Sequence, residues 1–222
     1  MACGGEGGGL RPVGEHGHYT ARVKNDLVEP VVLKGKHVEL VPLSAEHRDG
    51  LIAAVEDGQL WNLWYTSAPS PAGVEAEIKR RLGLWESGSM LPFTVIEPET
   101  GMPVGMTSYM NVDTANRRVE IGSTWYAARV QRTGLNTEAK RLLLGHAFET
   151  LGCIAVEFRT HFMNQQSRRA IERLGAKLDG VLRSHSVAAN GTLRDTCVYS
   201  VVAAEWPAVK AHLEWQMRKP RG

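Results

Sequence analysis

The sequence predicts one mixed α/β domain behind a glycine-rich tail. Hydrophobic residues make up 43% and charged residues 23% of the 222 residues, which is ordinary globular usage. Segments whose apolar residues alternate with a period of two are interspersed with segments of helical period, so both strands and helices are expected. The length without the tail suits a single hydrophobic core.

The overall charge and the cysteines exclude several classes of protein. The 26 basic and 24 acidic residues leave a net charge of +2, which argues against a nucleic-acid partner. Cys3, Cys153 and Cys197 are odd in number and form no CxxC pair, so neither a metal cofactor nor redox chemistry is expected, and a reduced cytoplasmic setting is predicted. No apolar run reaches the ~20 residues that would cross a membrane.

The domain organisation follows from the glycine content. Residues 1–30 supply many glycines and little apolar surface, which predicts a flexible tail, and residues 31–222 are predicted to form the domain. His16 and His18 lie in this tail, where they are interpreted as incidental rather than as a metal pair.

The first half of the domain reads as one strand followed by two helices. Val38 and Leu40 alternate with polar residues in VVLKGKHVELVPL, which predicts a half-buried strand. Ser44 is the expected N-cap of a helix whose inner face carries Leu51 and Val55, and a second helix is expected over residues 73–87.

The second half reads as a meander, a β/α alternation and a closing hairpin. Turns are predicted at Thr100-Gly101 and Ala115-Asn116, and a type I′ turn at Asn190-Gly191. The segment TEAKRLLLGHAFETLG has helical period and is expected to stop at Gly152. A strand CIAVEFRTHF, a helix NQQSRRAIERLG and a terminal helix AEWPAVKAHLEWQMR complete the order.

The loop between the strand ending STWY and the long helix is the expected anion site. The first backbone N–H groups of a helix have no partner within it and carry the positive end of its dipole, which suits a pyrophosphate. Gly134 permits close backbone approach, and Arg129 and Arg132 are expected to add charge-assisted contacts. The kinase-type P-loop and the Rossmann fingerprint are excluded, because their lysine and glycines are missing.

These segments resemble the GCN5-related N-acetyltransferase (GNAT) superfamily, in particular its RimJ/RimL-type branch, over about residues 33–205. Gln131 to Gly134 match the Q/R-x-x-G-x-G/A loop, while Asn136 stands where glycine or alanine is usual, and asparagine tolerates left-handed backbone angles. EIGSTWY, TEAKRLLLGHAFETLG, NQQSRRAIERLGA and DGVLR are further matches. The resemblance implies a central mixed, mostly antiparallel twisted sheet of about seven strands flanked by helices, with its fourth and fifth strands splayed apart.

The resemblance also implies acetyl-CoA as co-substrate and a set of residues that bind it. The pantetheine arm is expected in the gap between the splayed strands and the pyrophosphate on the loop. The implied cofactor-binding residues are Thr124, Trp125, Tyr126, Gln131, Arg132, Thr133, Gly134, Leu135, Asn136, Thr137, Asn164 and Ser167.

Two residues are candidates for the chemistry of acetyl transfer to an amine. Glu120 on the fourth strand is the candidate base, with a structural pairing to Arg117 or Arg118 as the alternative interpretation. The resemblance makes Ser167 the candidate proton donor to the CoA thiolate, while the same position also suits the first turn of a helix capped by Asn164. Tyr199 and Tyr126 are alternative acids.

The substrate wall and the remaining polar residues are assigned by position. Trp61, Trp64 and Tyr65 are expected either to line the substrate pocket or to pack the first two helices together. Cys153 and Cys197 are expected to be buried packing residues, which favours direct attack over an acyl-cysteine route. Satisfied polar roles are expected for the last group: His146, His161 and His185.

The sequence therefore predicts an N-acetyltransferase that moves acetyl from acetyl-CoA to a primary amine in a ternary complex. The acceptor is a small-molecule amine or a protein N-terminus, with the small molecule preferred by analogy. An inactive CoA-binding module and an acyltransferase for a longer acyl-CoA are the alternatives. A homodimer is expected, with Trp206 and Trp215 of the terminal helix as candidate contact residues.

Overall fold

A computed structural model describes residues 25–188 and 190–219. In these ranges the chain forms one sheet in the order β1-β2-β3-β4-β5-β6-β8-β7, in which β5 and β6 are parallel and all other neighbours are antiparallel. The strands are β1 (Leu33–Lys34), β2 (Glu39–Pro42), β3 (Met90–Glu97), β4 (Met102–Asp113), β5 (Arg118–Tyr126), β6 (Ala155–His161), β7 (Lys177–Val187) and β8 (Leu193–Val202). The helices are α1 (Arg48–Glu56), α2 (Val74–Glu86), α3 (Leu135–Gly145), α4 (Gln165–Glu172) and α5 (Trp206–Arg218).

The predicted mixed, mostly antiparallel sheet is confirmed, with eight strands instead of about seven. The extra strand arises because the predicted first strand folds into the β1–β2 hairpin. In the turn of this hairpin, Lys36 N and His37 N donate hydrogen bonds to the carboxylate of Glu138 in α3, at 3.0 and 2.5 Å. This long-range contact is invisible to a period-two pattern, which is why the strand was predicted as continuous.

The domain begins before residue 31, where the tail was predicted to end. Leu27 is fully buried, and Asn25 donates its side-chain amide to Gly88 O at 3.1 Å. Asp26 forms an ion pair with Arg117 at 2.9 Å. The predicted tail therefore does not extend to residue 30, and residues 1–24, including His16 and His18, lie outside the described residues.

The meander turns form as predicted, but the closing hairpin does not have a type I′ turn at Asn190-Gly191. Gly101 N donates to Glu97 O at 2.8 Å around the first of these turns, and Arg117 N donates to Thr114 O at 3.4 Å around the second. In the closing hairpin Gly191 N donates to Ala188 O, and Ala188 N donates to Thr192 O, both at 2.8 Å. Ala188 and Thr192 are therefore the last hydrogen-bonded pair, and a loop of three residues connects them. Gly191 takes the left-handed conformation with φ +82°, as in a loop with a G1 bulge.

The long amphipathic helix is α3, which continues as a π-helical turn over His146–Thr150 and ends before Gly152, as predicted. Ala139, Leu143 and Ala147 are fully buried against the sheet. Tyr109 of β4 donates its hydroxyl to Leu143 O at 2.5 Å, which ties the helix to the strand.

The terminal helix α5 packs on its own domain through one of its two tryptophans. Trp206 is buried, stacks on Phe148 with ring centroids 5.5 Å apart, and donates to Glu149 at 2.8 Å. It is therefore not available to cover a neighbour, which corrects that expectation. Trp215 is 54% exposed. Across the described part of the chain, no helix has the length and apolar character required to span a bilayer.

Candidate active site

The site begins where β5 and β6 part. These two strands pair at Arg118↔Ala155, Val119↔Val156 and Glu120↔Glu157, and the pairing ends there. A cavity of about 580 Å³ occupies the gap beyond it, with Ile121 on one side and Phe158 on the other. β5 and β6 correspond to the fourth and fifth strands of the sequence prediction, because the predicted first strand forms both β1 and β2. Their implied splay is confirmed, since the described sheet has no hydrogen-bonded pair between them past Glu120.

The structure brings ten of the predicted site residues to this cavity and leaves six outside its lining. Those that do not line it are Glu120, Trp61, Trp64, Gly134, Leu135 and Thr137. Those that line it are Tyr65, Thr124, Trp125, Tyr126, Gln131, Arg132, Thr133, Asn136, Asn164 and Ser167.

The loop before α3 is held by its own side chains. Gln131 donates its side-chain amide to Tyr126 O at 2.9 Å, and Thr133 donates its hydroxyl to Val130 O at 2.7 Å while accepting from Leu135 N at 3.2 Å. Gly134 is the N-cap, so α3 begins at Leu135 as the expected helix N-terminus beside the cavity.

Two details of this loop differ from expectation. Asn136 lies inside α3 with ordinary helical geometry, and the left-handed residue of the loop is Arg132, with φ +61°. Arg129 does not line the cavity, because its guanidinium pairs with Glu97 at 2.8 Å and its backbone N–H donates to Asp57 at 2.9 Å. Arg132 is therefore the one of these two arginines that lines the cavity.

The alternation of side chains along the strands assigns the site residues to two faces of the sheet. Opposed residues of neighbouring strands share a face, so Glu120, Gly122, Glu157, Arg159 and His161 lie on one face together with Thr196 and Arg194. Thr107 and Thr124 lie on the other face, where they meet α3. The gap between β5 and β6 opens onto both faces.

A bulge in β5 lies beside the gap. Met106 pairs with Trp125 and Ser108 with Gly122, so β5 carries one extra residue, and Ser123 has φ +49°. Arg81 of α2, 1% exposed, donates to Ser123 O at 2.8 Å and to the Ser108 hydroxyl at 3.1 Å. A buried guanidinium thus holds the bulge from one face of the sheet.

A buried lysine holds the same bulge from the other face. Lys140 of α3 donates to the Thr124 hydroxyl at 2.8 Å and to the Thr107 hydroxyl at 3.2 Å. Burial lowers the pKa of Lys140 to about 7, and no described carboxylate pairs with it. Arg81 and Lys140 were both missed by the sequence analysis. The sequence did contain a signal for Lys140: it stands four residues before Leu144, on the apolar stripe of α3, where a lysine is expected to be buried.

Glu120 is buried behind Gly122. Its carboxylate accepts from Asn111 at 2.7 Å and lies 3.6 Å from Arg159. The pKa of Glu120 is raised by burial, against the opposing effects of Asn111 and Arg159. A Cβ on Gly122 would lie 2.8 Å from Glu120 Oε1, so only the missing side chain at this position lets the carboxylate approach the cavity wall. The alternative pairing with Arg117 or Arg118 does not form, because these arginines pair with Asp26 and Glu157.

Ser167 and Asn164 lie at the start of α4. Asn164 caps the helix, as predicted, by accepting from Ser167 N at 3.0 Å. Ser167 lines the cavity from the same face of the sheet as Thr124, since α4 contacts β6 through the face opposite to Glu157. The serine side chain is thereby placed near the gap.

The two alternative acids have different surroundings. Tyr199 donates to Glu172 at 2.8 Å, accepts from Arg168 at 3.1 Å and does not line the cavity, which removes it as an acid. Tyr126 lines the cavity, and within the described residues its buried hydroxyl has no hydrogen-bond partner. The same is true of the indole N–H of Trp125. Burial raises the pKa of Tyr126.

The aromatic loop divides between the two roles weighed for it. Trp61 packs on the hydrophobic core, whereas Tyr65 lines the cavity. Trp64 is 52% exposed and packs edge-on against Tyr65 and His161, at centroid distances of 5.6 and 5.0 Å. The loop therefore meets the end of β6 on the face of the sheet that carries Glu120.

His161 and Arg194 also line this end of the cavity, and neither was predicted to do so. His161 accepts from Met163 N through Nδ1 at 3.1 Å, while its buried Nε2 has no partner among the described residues, so the expected satisfied role holds for only one of the two ring nitrogens. Burial lowers the pKa of His161, and nearby Arg194 adds to this effect. His146 and His185 do have partners, in Tyr109 and Thr196.

Among the described residues, the ionisable side chains of the cavity wall are mainly basic. It contains no aspartate or glutamate. Its basic side chains are Arg81, Arg132, Lys140, Arg159, Arg169, Arg173 and Arg194. Such a wall suits a ligand with several negative charges. Cys153 and Cys197 are buried and unpaired, and no three histidine, cysteine or carboxylate side chains of residues 25–188 and 190–219 are arranged to hold a metal ion.

Comparison with known proteins places the chain in a family. Residues 37–177 match the model of the acetyltransferase (GNAT) domain. The "Putative ribosomal N-acetyltransferase YdaF" of Bacillus subtilis is 36% identical over 110 residues, which are 50% of this chain and 59% of YdaF. The chain therefore spans less than two thirds of that curated relative.

Solved structures share the fold over most of the chain. A GCN5-related N-acetyltransferase from Brucella melitensis is 34% identical, with a TM-score of 0.77 over 85% of this chain and 86% of that one. RimJ of Mycobacterium smegmatis, determined in complex with CoA-disulfide, has the same fold at 21% identity, with a TM-score of 0.70 over 86% of this chain and 94% of its own. The chain belongs to the GNAT acetyltransferase family, and its relatives support placement on the RimJ/RimL-type branch.

Proposed function

We propose that this chain transfers the acetyl group of acetyl-CoA to a primary amine by direct attack in a ternary complex. The observation that carries the proposal is the parting of β5 and β6 beyond Glu120, which opens a cavity to both faces of the sheet. Two substrates are able to enter such a gap from opposite sides and meet inside it, which supplies the proximity that a two-substrate transfer needs.

The α3 and α4 face fits CoA. It offers the N-terminus of α3, the free guanidinium of Arg132, and Arg169 and Arg173 of α4 to the phosphates of that molecule. The backbone of Thr124 and Trp125, next to the bulge, is available to the pantetheine arm, and Asn164 and Ser167 line the same part of the cavity. This is the role proposed for these residues and for the rest of the loop over residues 131–137.

The opposite face fits the amine and its proton. We assign Glu120 as the base, directly or through a water molecule, because its carboxylate lies behind Gly122 and burial raises its pKa towards the range of a working base. In the transfer, the amine nitrogen forms a bond to the acetyl carbon as the carbon–sulfur bond breaks. The amine proton passes to Glu120, and the departing CoA thiolate takes the hydroxyl proton of Ser167. Ser167 is reprotonated from solvent as Glu120 releases its proton to solvent, so both side chains return to their starting state.

The acceptor is proposed to be a small-molecule amine or a protein N-terminus, bound beside Tyr65 with Trp64 covering the entrance. The name of YdaF as a ribosomal N-acetyltransferase supports the protein acceptor. A homodimer in the cytoplasm is part of the same proposal, supported by the exposed Trp215 and by two buried, unpaired cysteines.

The experiment that tests this function is calorimetry with acetyl-CoA, followed by thiol release from the same sample against a panel of amines. Binding together with release supports the transferase. Binding without release from any amine or peptide favours an inactive CoA-binding module, and absent binding overturns the proposal. Propionyl-CoA and succinyl-CoA are assayed alongside, and faster turnover of either one assigns the enzyme to a longer acyl chain.

A further inference from the structure

One cation on the acceptor face has no carboxylate partner. Arg194 of β8 lines the cavity and donates to the Thr196 hydroxyl at 3.2 Å, and none of the ion pairs between described residues includes it. Arg183 of β7, by contrast, is paired with Asp195 at 2.6 Å. A half-buried guanidinium that lines a cavity without a counter-ion is a ready partner for an anionic ligand group.

The remaining charges on this face are accounted for. Glu157 is shared by Arg118 and Arg159, and Arg159 also lies 3.6 Å from Glu120. Burial and the charge of Arg194 lower the pKa of His161, so above this pKa the imidazole is neutral and does not compete with Arg194 for an anion. The face thus presents one buried carboxylate, Glu120, and one uncompensated guanidinium, Arg194.

Glu120 and Arg194 lie close enough to influence each other. Burial raises the pKa of Glu120, and the nearby charges of Arg159 and Arg194 oppose this rise. Both residues belong to the same face of the sheet, on β5 and β8, with β6 between them. A carboxylate and a guanidinium so arranged are complementary to a ligand that carries an amine and an anionic group together.

The cationic wall disfavours the opposite kind of acceptor. A polyamine or an aminoglycoside brings several positive charges, and the described cavity wall offers several arginines and no carboxylate to receive them. Like charges across a binding surface cost affinity.

On the basis of the proposed function, we infer that the acceptor carries an anionic group beside its amine, with Arg194 binding the anion and the amine directed to Glu120. A free amino acid and a peptide whose first residue has an acidic side chain both present this chemistry.

The test compares matched acceptors that differ only in the anion. Alanine is assayed against alaninamide, and the dipeptide amide Asp-Ala-amide against Asn-Ala-amide, with spermidine as the polycation. In the protein without substitutions, kcat/KM for one anionic member is expected to exceed that of its neutral partner roughly tenfold or more, as for other charge-assisted contacts. The pair that shows the preference distinguishes the free amino acid from the peptide.

Two variants and a control separate a direct contact from a general charge effect. Arg194→Gln is expected to bring the anionic and neutral acceptors to similar kcat/KM through the KM of the anionic one, while Arg194→Lys retains part of the preference. Arg183→Gln, a change of the same type at a residue paired outside the cavity, is expected to leave the preference intact. Melting temperatures of all three variants establish that they are folded.

The outcomes of this inference are distinct from those of the proposed function. Acetyl-CoA binding is measured by calorimetry in every sample, and its absence defeats the proposed function itself. With binding present, the inference is overturned if neutral acceptors or spermidine react as well as the anionic ones, if no anionic acceptor reacts, or if Arg194→Gln keeps the preference.

Discussion

Lys140 Nζ lies 2.8 Å from the hydroxyl of Thr124, and Thr124 belongs to the bulge of β5. The ammonium is 6% exposed and no described carboxylate is paired with it, so the protein holds this charge at a cost in stability. The same bulge is bonded from the other face by Arg81, through Ser123 O. Two buried basic side chains thus fix the strand at the point where it borders the cavity.

Replacing Lys140 by Met is expected to stabilise the protein, and more so at low pH. Burial lowers the pKa of Lys140 from 10.5 to about 7 in the folded state, so between these values the unfolded chain binds the proton and the folded protein does not. The free energy of unfolding therefore rises as the pH increases from ~7 to ~10.5, and below ~7 the folded protein bears the full cost of burying the protonated lysine. The Thr107 and Thr124 hydroxyls, 2.8 Å apart, still bond to each other in the variant.

The measurement is the melting temperature of wild type and variant at pH ~6 and ~9. The gain should be larger at the lower pH. Lys79→Met, at an exposed position of α2, is the matched control, and its effect should not change with pH. A gain of equal size at both pH values would show that Lys140 does not carry the buried charge described here.

Glu120→Gln is expected to lower turnover, most strongly at low pH, because fewer acceptor amines have then lost their proton in solution and the base is needed most. Affinity for acetyl-CoA should change little, since Glu120 lies on the opposite face from the loop over residues 131–137. Steady-state kinetics across pH ~6 to ~9 and calorimetry measure the two quantities. Glu149→Gln, distant on the surface, serves as control, and unchanged activity across the whole range would remove Glu120 as the base.

Gly122→Ala is expected to reduce turnover without unfolding the protein. The added Cβ would lie 2.7 Å from Met110 Sδ and 2.8 Å from Glu120 Oε1, and both atoms belong to the outer part of long side chains that are able to move. Displacement of the carboxylate should lower kcat at a stability cost of about 1 kcal/mol. Gly83→Ala in α2 meets no atom within 4 Å and should stabilise slightly, by about 0.5–1 kcal/mol. Normal kinetics in Gly122→Ala would mean that the position of Glu120 does not matter.

Ser167→Ala is expected to lower kcat more than it raises the KM for acetyl-CoA, because a proton donor acts when the thiolate departs. The backbone N–H of residue 167 still donates to Asn164, so the cap of α4 is retained. Ser167→Thr keeps a hydroxyl and should restore part of the rate. If only the KM for acetyl-CoA changes, Ser167 belongs to CoA binding and Tyr126 becomes the stronger candidate acid.

Local patterns predicted most of the elements, since each depends on residues close in sequence. Ser44 accepts from Glu46 N before α1, Asn164 caps α4, and Gly152 follows the end of the long helix. The patterns misjudged the first strand and the closing turn. The first was decided by Glu138, about a hundred residues away, and the second by the pairing of Ala188 with Thr192.

The sequence by itself determined the elements and the loop before α3, because local patterns record them, and its resemblance to a known family implied the fold and the residues on either side of the gap. Only the tertiary structure decided the charges around that gap. Arg81, Lys140, His161 and Arg194 come from α2, α3, β6 and β8, and no spacing along the chain relates them. Their effect depends on burial and on which carboxylates reach them, and both are properties of the packed sheet rather than of any one segment.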